Sequence, residues 1–179
     1  MKASISRFTA LLALIVLAAS CTATRTDRSA GEHVDDATVS SKVKLALAEN
    51  SATKAHQIDV TTFRGKVQLN GFVDSAEMKS AATRVARTVK GVEAVDNNLR
   101  VGGDRTAGEY IDDKTVGIKV RAALVGDPVT KERQINVEVH DGVVLLGGFV
   151  NSMDEKAQAT RVTAAVGGVK SVKNDLTVK

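Results

Sequence analysis

The chain of 179 residues contains one cysteine, one proline, three histidines and no tryptophan, and aromatic residues make up only 3% of it. A single cysteine, Cys21, excludes any disulfide within the chain. Few aromatics, together with the lack of a long Lys/Arg run, leave little with which to stack on bases or follow a phosphate backbone, so no nucleic-acid partner is expected. No HExxH, CxxC, GxSxG or phosphate-loop pattern occurs, and no cofactor or metal is expected. The one proline and the missing tryptophan decide nothing. The longest apolar run, Phe8 to Ala19, falls short of the roughly 20 residues that cross a bilayer.

That run has another use. Lys2 and Arg7 flank its start and small residues close it, the layout of a secretory signal. The segment Leu17-Ala18-Ala19-Ser20-Cys21 resembles a bacterial lipobox, with Ala18 standing where leucine is usual. The resemblance implies that Cys21 becomes the acylated N-terminus, and Thr22 in place of an aspartate implies sorting to the outer membrane. Ordinary cleavage nearby, leaving a free thiol, is the alternative. A signal at 1–20 would remove Lys2 and Arg7, and the formal charge falls from +4 to +2. Residues 21–34 are polar and read as a flexible tether.

The remainder repeats itself. A shift of 77 positions superposes Asp35-Asp36 on Asp112-Asp113, Gly71-Phe72-Val73 on Gly148-Phe149-Val150 and Ala82-Thr83-Arg84-Val85 on Ala159-Thr160-Arg161-Val162. Roughly half of the paired positions are identical, so the unit is a duplicated domain. The copies are placed at 35–101 and 112–179, with 102–111 as linker. Each reads α-β-β-α-β. Val39, Val43, Ala46 and Leu47 form one helical stripe, and the aspartates ahead of it suit an N-cap. Ile58, Val60 and Thr62 alternate, as do Val67, Leu69, Gly71 and Val73. Arg64-Gly65 and Asp141-Gly142 make two-residue hairpin turns. Ser75 caps a second helix bearing Met78, Ala82, Val85 and Val89, and Gly91 ends it. A last strand carries Val95, Leu99 and Val101 inward, with Asn97 in phase. The expected fold class is α+β: two tandem copies of a small domain in which a three-stranded mixed sheet carries two helices on one face.

The segments GKVQLNGFVDS and DGVVLLGGFVNS, each followed by a helix and then GV..V.N.L.V, resemble the BON domain. That resemblance implies a non-enzymatic protein of the periplasm and outer membrane that supports envelope integrity under osmotic stress. Its implied partner is the phospholipid membrane surface, and envelope proteins served by a chaperone or scaffold are the alternative.

Neither His56 nor His140 recurs in the other copy, which argues against a catalytic constellation. Adjacent carboxylates, Asp35-Asp36 and Asp154-Glu155, stand at helix starts, where capping explains them. Gly65, Gly71, Gly91, Gly142, Gly148 and Gly168 read as structural, with Gly71 and Gly148 marking close approach of a helix to the sheet. Lys79, Arg84, Lys156 and Arg161 lie off the apolar stripe of the second helix, as solvated surface or as contacts to headgroups. The outward strand phases differ between copies. In the first, Lys66, Gln68, Asn70 and Phe72 form a mostly polar row; in the second, Val143, Leu145, Gly147 and Phe149 form an apolar one. Such a row marks a contact surface. Val143, Leu145 and Phe149 therefore meet a membrane or protein, or are covered by the first domain or by linker residues Tyr110 and Ile111.

Overall fold

Both copies form α+β units with the expected element order. The computed structural model describes residues 30–53, 58–102, 107–130 and 134–179. The leader and Cys21 lie outside the described residues. The first unit comprises α1 (Ala30–Glu49), β1 (Ile58–Phe63), β2 (Lys66–Val73), α2 (Ala76–Thr88), β3 (Ala94–Asn97) and β4 (Arg100–Val101). The second comprises α3 (Ala107–Gly126), β5 (Ile135–His140), β6 (Val143–Val150), α4 (Met153–Ala164), β7 (Ser171–Asn174) and β8 (Thr177–Val178). Two segments that the sequence reads as connections are partly helical: the end of the tether, from Ala30, and the second half of the linker, from Ala107.

In each sheet the long middle strand pairs antiparallel with its hairpin partner and parallel with the last strand. Sequence periodicity predicts one continuous last strand, but it is broken in two. Asn97 turns its amide back, accepting from Leu99 N at 3.0 Å and donating to Lys79 O and Thr83 Oγ1. Asn174 repeats the arrangement against Leu176, Lys156 and Thr160. The break drops Leu99 and Leu176 into the two cores. Val101, expected inward, lies past the break and is 56% exposed.

The hairpins explain the repeated aspartates. Arg64 and Asp141 adopt positive φ of 49° and 50°, followed by Gly65 and Gly142 at 72° each, which suits a two-residue turn of type I′. Such a turn leaves backbone donors unsatisfied. Asp36 is not an N-cap, as its position suggests, but a buried residue within α1 that accepts from Arg64 N and Gly65 N at 2.8 and 3.1 Å. Asp113 does the same for Asp141 N and Gly142 N, at 2.9 Å each. Each aspartate therefore fastens the first helix to the hairpin of its own sheet. Asp154-Glu155 does stand at a helix start: Ser152 Oγ accepts from Glu155 N while Glu155 Oε2 accepts from Asn151 N, a capping-box-like pair reaching one residue beyond the N-cap.

Gly71 and Gly148 have φ of 130° and 120°. The crowding partner at Gly148 is the carbonyl of Gln134 across the sheet, rather than a helix as the sequence suggests. Each core lies between one sheet face and its two helices: Val39, Val43, Leu47, Val67, Leu69 and Ala82 in the first, Val116, Val120, Leu124, Val144, Leu146 and Ala159 in the second.

Candidate functional site

The opposite sheet faces pack on each other, with β2 against β5 and β6, so the molecule is layered helix, sheet, sheet, helix. The apolar row of the second domain is covered here. Leu145 and Phe149 are 1% and 3% exposed and Val143 is half-buried, which removes them as a free membrane surface. The cover comes from the first domain's sheet. Tyr110 and Ile111 do not supply it, since they are 45% and 64% exposed on α3.

The contacts obey a two-fold relation between residues 77 apart. Phe63 meets Phe149 with ring centroids 5.4 Å apart, and the related pair, Phe72 and His140, meets at 4.9 Å. Asn70 faces its own counterpart, Gly147, which has no side chain to obstruct it. Lys179 lies 5.8 Å from the Phe63 ring centroid, as Gly102 lies against the His140 ring. This is the geometry of a self-complementary dimer interface made within one chain.

The polar row of the first domain is equally buried: Gln68 is 0% and Asn70 1% exposed. Burial of amides is tolerable only with partners. Gln68 Nε2 donates to Asp175 O at 2.9 Å and Thr177 Oγ1 at 3.1 Å, and Gln68 Oε1 accepts from Gly148 N at 2.5 Å and Asn70 Nδ2 at 3.1 Å. At the rim, Arg100 pairs with Asp175 at 3.0 Å and Asn136 Nδ2 donates to Thr61 Oγ1 at 2.6 Å. Sequence periodicity identified both rows and left the first domain as one of several possible covers; the packing of β2 on β5 and β6 selects it.

The four basic candidates divide. Lys79 Nζ donates to Leu99 O at 2.7 Å and Lys156 Nζ to Leu176 O at 2.6 Å, so both lysines support the strand break. Arg84 and Arg161 are exposed, and Arg161 Nε donates to Gln158 Oε1.

With both inner sheet faces covered, most of the exposed large apolar side chains lie on the helices. On α3, Ile111, Ile118 and Val125 are 64%, 66% and 65% exposed. A spacing of seven sets them in one line, since each residue turns a helix by about 100°. Val116, Val120 and Leu124 occupy the buried face, so α3 is apolar on two sides. The matching α1 positions 41 and 48 carry Ser41 and Ala48. Lys114 and Arg121 border the α3 line; Lys114 Nζ lies 5.2 Å from the Tyr110 ring centroid, and Arg121 Nη2 donates to Val137 O. Sequence reading missed this line because α3 began inside the supposed linker.

Shifted titrations are confined to open surface. The hydrogen bond from Gln158 holds the Asp127 carboxyl below its ordinary value, and the bond to Asp141 raises Lys170. Among the described residues no helix is long and apolar enough to cross a membrane, and no group of three or more His, Cys, Asp or Glu residues is placed to hold a metal.

A family model described as "BON domain" matches residues 35–103 and 112–179. The chain is 37% identical over 151 residues to the "Osmotically-inducible protein Y" of Escherichia coli, covering 83% of this chain and 75% of that protein. It is 29% identical over 146 residues to the "Outer membrane lipoprotein DolP" of Haemophilus influenzae, covering 81% and 75%. A solved structure, the C-terminal domain of a type III secretion structural protein of Chlamydia trachomatis, aligns over 80% of this chain and 67% of its own. At 16% identity and a TM-score of 0.33 that likeness is slight.

Proposed function

Because the chain belongs to the BON-domain family, we propose that it is a non-enzymatic envelope protein that rests on phospholipid surfaces through the outer face of α3. One observation carries the reading: the line Ile111–Ile118–Val125, about two-thirds exposed and bordered by Lys114 and Arg121. An apolar stripe edged by cations is the pattern of a helix lying in the membrane interface. Burying three such side chains contributes about 3–5 kcal/mol, and each cation near an anionic surface about 1 kcal/mol more. Acylation of Cys21 would anchor the protein to the outer membrane, since one weak contact rarely suffices. The relatives named for osmotic induction and for an outer-membrane lipoprotein support a role in the envelope under osmotic stress.

The test is co-sedimentation with vesicles containing phosphatidylglycerol, using the chain from residue 21 onward with Cys21→Ala so that neither the apolar leader nor an acyl group contributes. Ile118→Glu should weaken binding at least tenfold while leaving the circular dichroism unchanged. Binding as tight as the parent's would refute the α3 reading. If the same variant instead loses crosslinks to envelope proteins, the protein-interaction reading takes its place.

A further inference from the structure

Beside the α3 line lies a cleft of about 480 Å³ between the domains. Its α3 wall is Tyr110, Lys114, Gly117 and Arg121, one helical face rotated about 70° from the exposed line. Asp59 and Glu138 line it from β1 and β5, and Phe72 and Val139 add apolar surface. Asp113 also lines the cleft but accepts from the Asp141–Gly142 turn, so two cations and three carboxylates share it, two of the carboxylates lying outside that turn contact. Asp59 also accepts from Val60 N at 3.0 Å and pairs with Lys44 at 3.2 Å.

The internal two-fold supplies a comparison at the other end of the interface. There the counterparts of Asp59 and Glu138 are Asn136 and Thr61, joined by a hydrogen bond of 2.6 Å. The counterparts of Gly117 and Val139 are Ser40 and Thr62, joined at 2.8 Å. Lys114 corresponds to Ala37. The same fold and interface are therefore built at the related position from mostly neutral, mutually bonded residues. Arg121, whose counterpart is the cation Lys44, also bonds Val137 O, so the ends differ in Lys114, Asp59, Glu138 and the glycine. A Cβ on Gly117 would meet only ordinary contacts at 3.6 Å, so its absence leaves space rather than relieving a clash.

We propose that this cleft binds a phosphoethanolamine group, its phosphate held by Lys114 and Arg121 and its primary ammonium by Asp59 and Glu138. The inference rests on the α3 membrane reading only for the source of that group: α3 resting on a bilayer brings the cleft to headgroup level. A primary ammonium donates hydrogen bonds to carboxylates, which a choline ammonium cannot do, and a glycerol headgroup carries no cation.

The experiment is a nuclear magnetic resonance titration of the same chain, from residue 21 onward with Cys21→Ala, against three soluble compounds: glycerophosphoethanolamine, glycerophosphocholine and glycerophosphoglycerol. Only the first should shift the amides of Gly117 and Glu138. A variant carrying the related end's residues, Asp59→Asn with Gly117→Ser and Glu138→Thr, should fold, still sediment with phosphatidylglycerol vesicles, and bind glycerophosphoethanolamine about tenfold more weakly or worse. Ile118→Glu should show the reverse, keeping the amide shifts and losing the vesicles. No shift with glycerophosphoethanolamine, equal shifts with all three compounds, or full binding by the triple variant would overturn the cleft assignment and leave the α3 reading standing. Adding phosphatidylethanolamine to phosphatidylcholine vesicles separates the sources. Tighter sedimentation of the parent assigns the site to a lipid headgroup, and no change assigns it to a soluble phosphoethanolamine compound.

Discussion

Gln68→Leu places in the first domain the residue that its counterpart, Leu145, supplies in the second, and by hydrophobicity alone it should stabilise a fully buried position. We expect the opposite. Gln68 Oε1 is the acceptor for Gly148 N, a buried backbone donor that no side-chain substitution removes, and for Asn70 Nδ2. A buried donor without a partner costs about 1–3 kcal/mol. Gly148 N and Asn70 Nδ2 both lose theirs, and on the other side Asp175 O and Thr177 Oγ1 lose a donor at positions only partly buried. Leucine returns about 1–2 kcal/mol of apolar transfer. The net expectation is a loss of about 2–3 kcal/mol. Urea unfolding followed by circular dichroism measures it; with a slope near 2 kcal/mol per M, the midpoint should fall by about 1–1.5 M. A midpoint equal to or above the parent's would show that the amide network does not hold the sheets together, and the account of the interface would fail with it. The double variant Gln68→Leu with Asn70→Gly, copying the second domain's row, should recover part of the loss, because the buried Asn70 Nδ2 is gone and Gly148 N is then the fully buried donor left without its partner; Asn98 Nδ2, which loses Asn70 Oδ1, is only partly buried.

Other outcomes follow from single contacts. Asp113→Ala should cost about 2–4 kcal/mol, since the turn donors Asp141 N and Gly142 N lose their shared acceptor; thermal unfolding checks it, and a neutral result would contradict the fastening role. Gly168→Ala should destabilise by about 1–3 kcal/mol, because its φ is 99° and a Cβ would come within 2.7 Å of Val116 Cγ2. Heating should unfold the two domains in one transition, as their inner faces are each other's cover; two separated calorimetric peaks would count against that. Gln158 lowers the Asp127 pKa, so this bond favours the folded state at neutral pH and is lost as pH falls through the folded-state value. Carboxyl resonances should show Asp127 titrating below its ordinary value, and Gln158→Ala should raise it toward that value, the bonds from Val129 N and Thr130 N remaining.

Much of the fold is local and was therefore legible in the residues. Positive φ confines the hairpins to pairs such as Asp141-Gly142, Ser75 and Ser152 are spaced to cap the helices behind them, and periods of 2 and 3.6 assign inward faces without reference to a partner. Duplication doubled each signal. The errors came where a residue's role depends on something distant in the chain. Asp36 and Asp113 looked like caps because helix starts favour aspartate, yet each answers donors 28 and 29 residues away. Gln68 and Asn70 read only as a polar row; Gln68 finds its partners Asp175, Thr177 and Gly148 in the other domain, while Asn70 bonds Gln68 and Asn98 of its own. The apolar row around Leu145 signalled a contact surface, but a one-dimensional pattern does not name the contact. Only the folding of one sheet face onto the other decided that the cover is the first domain, which leaves α3 as the free apolar face and gathers Lys114, Arg121, Asp59 and Glu138 into one cleft.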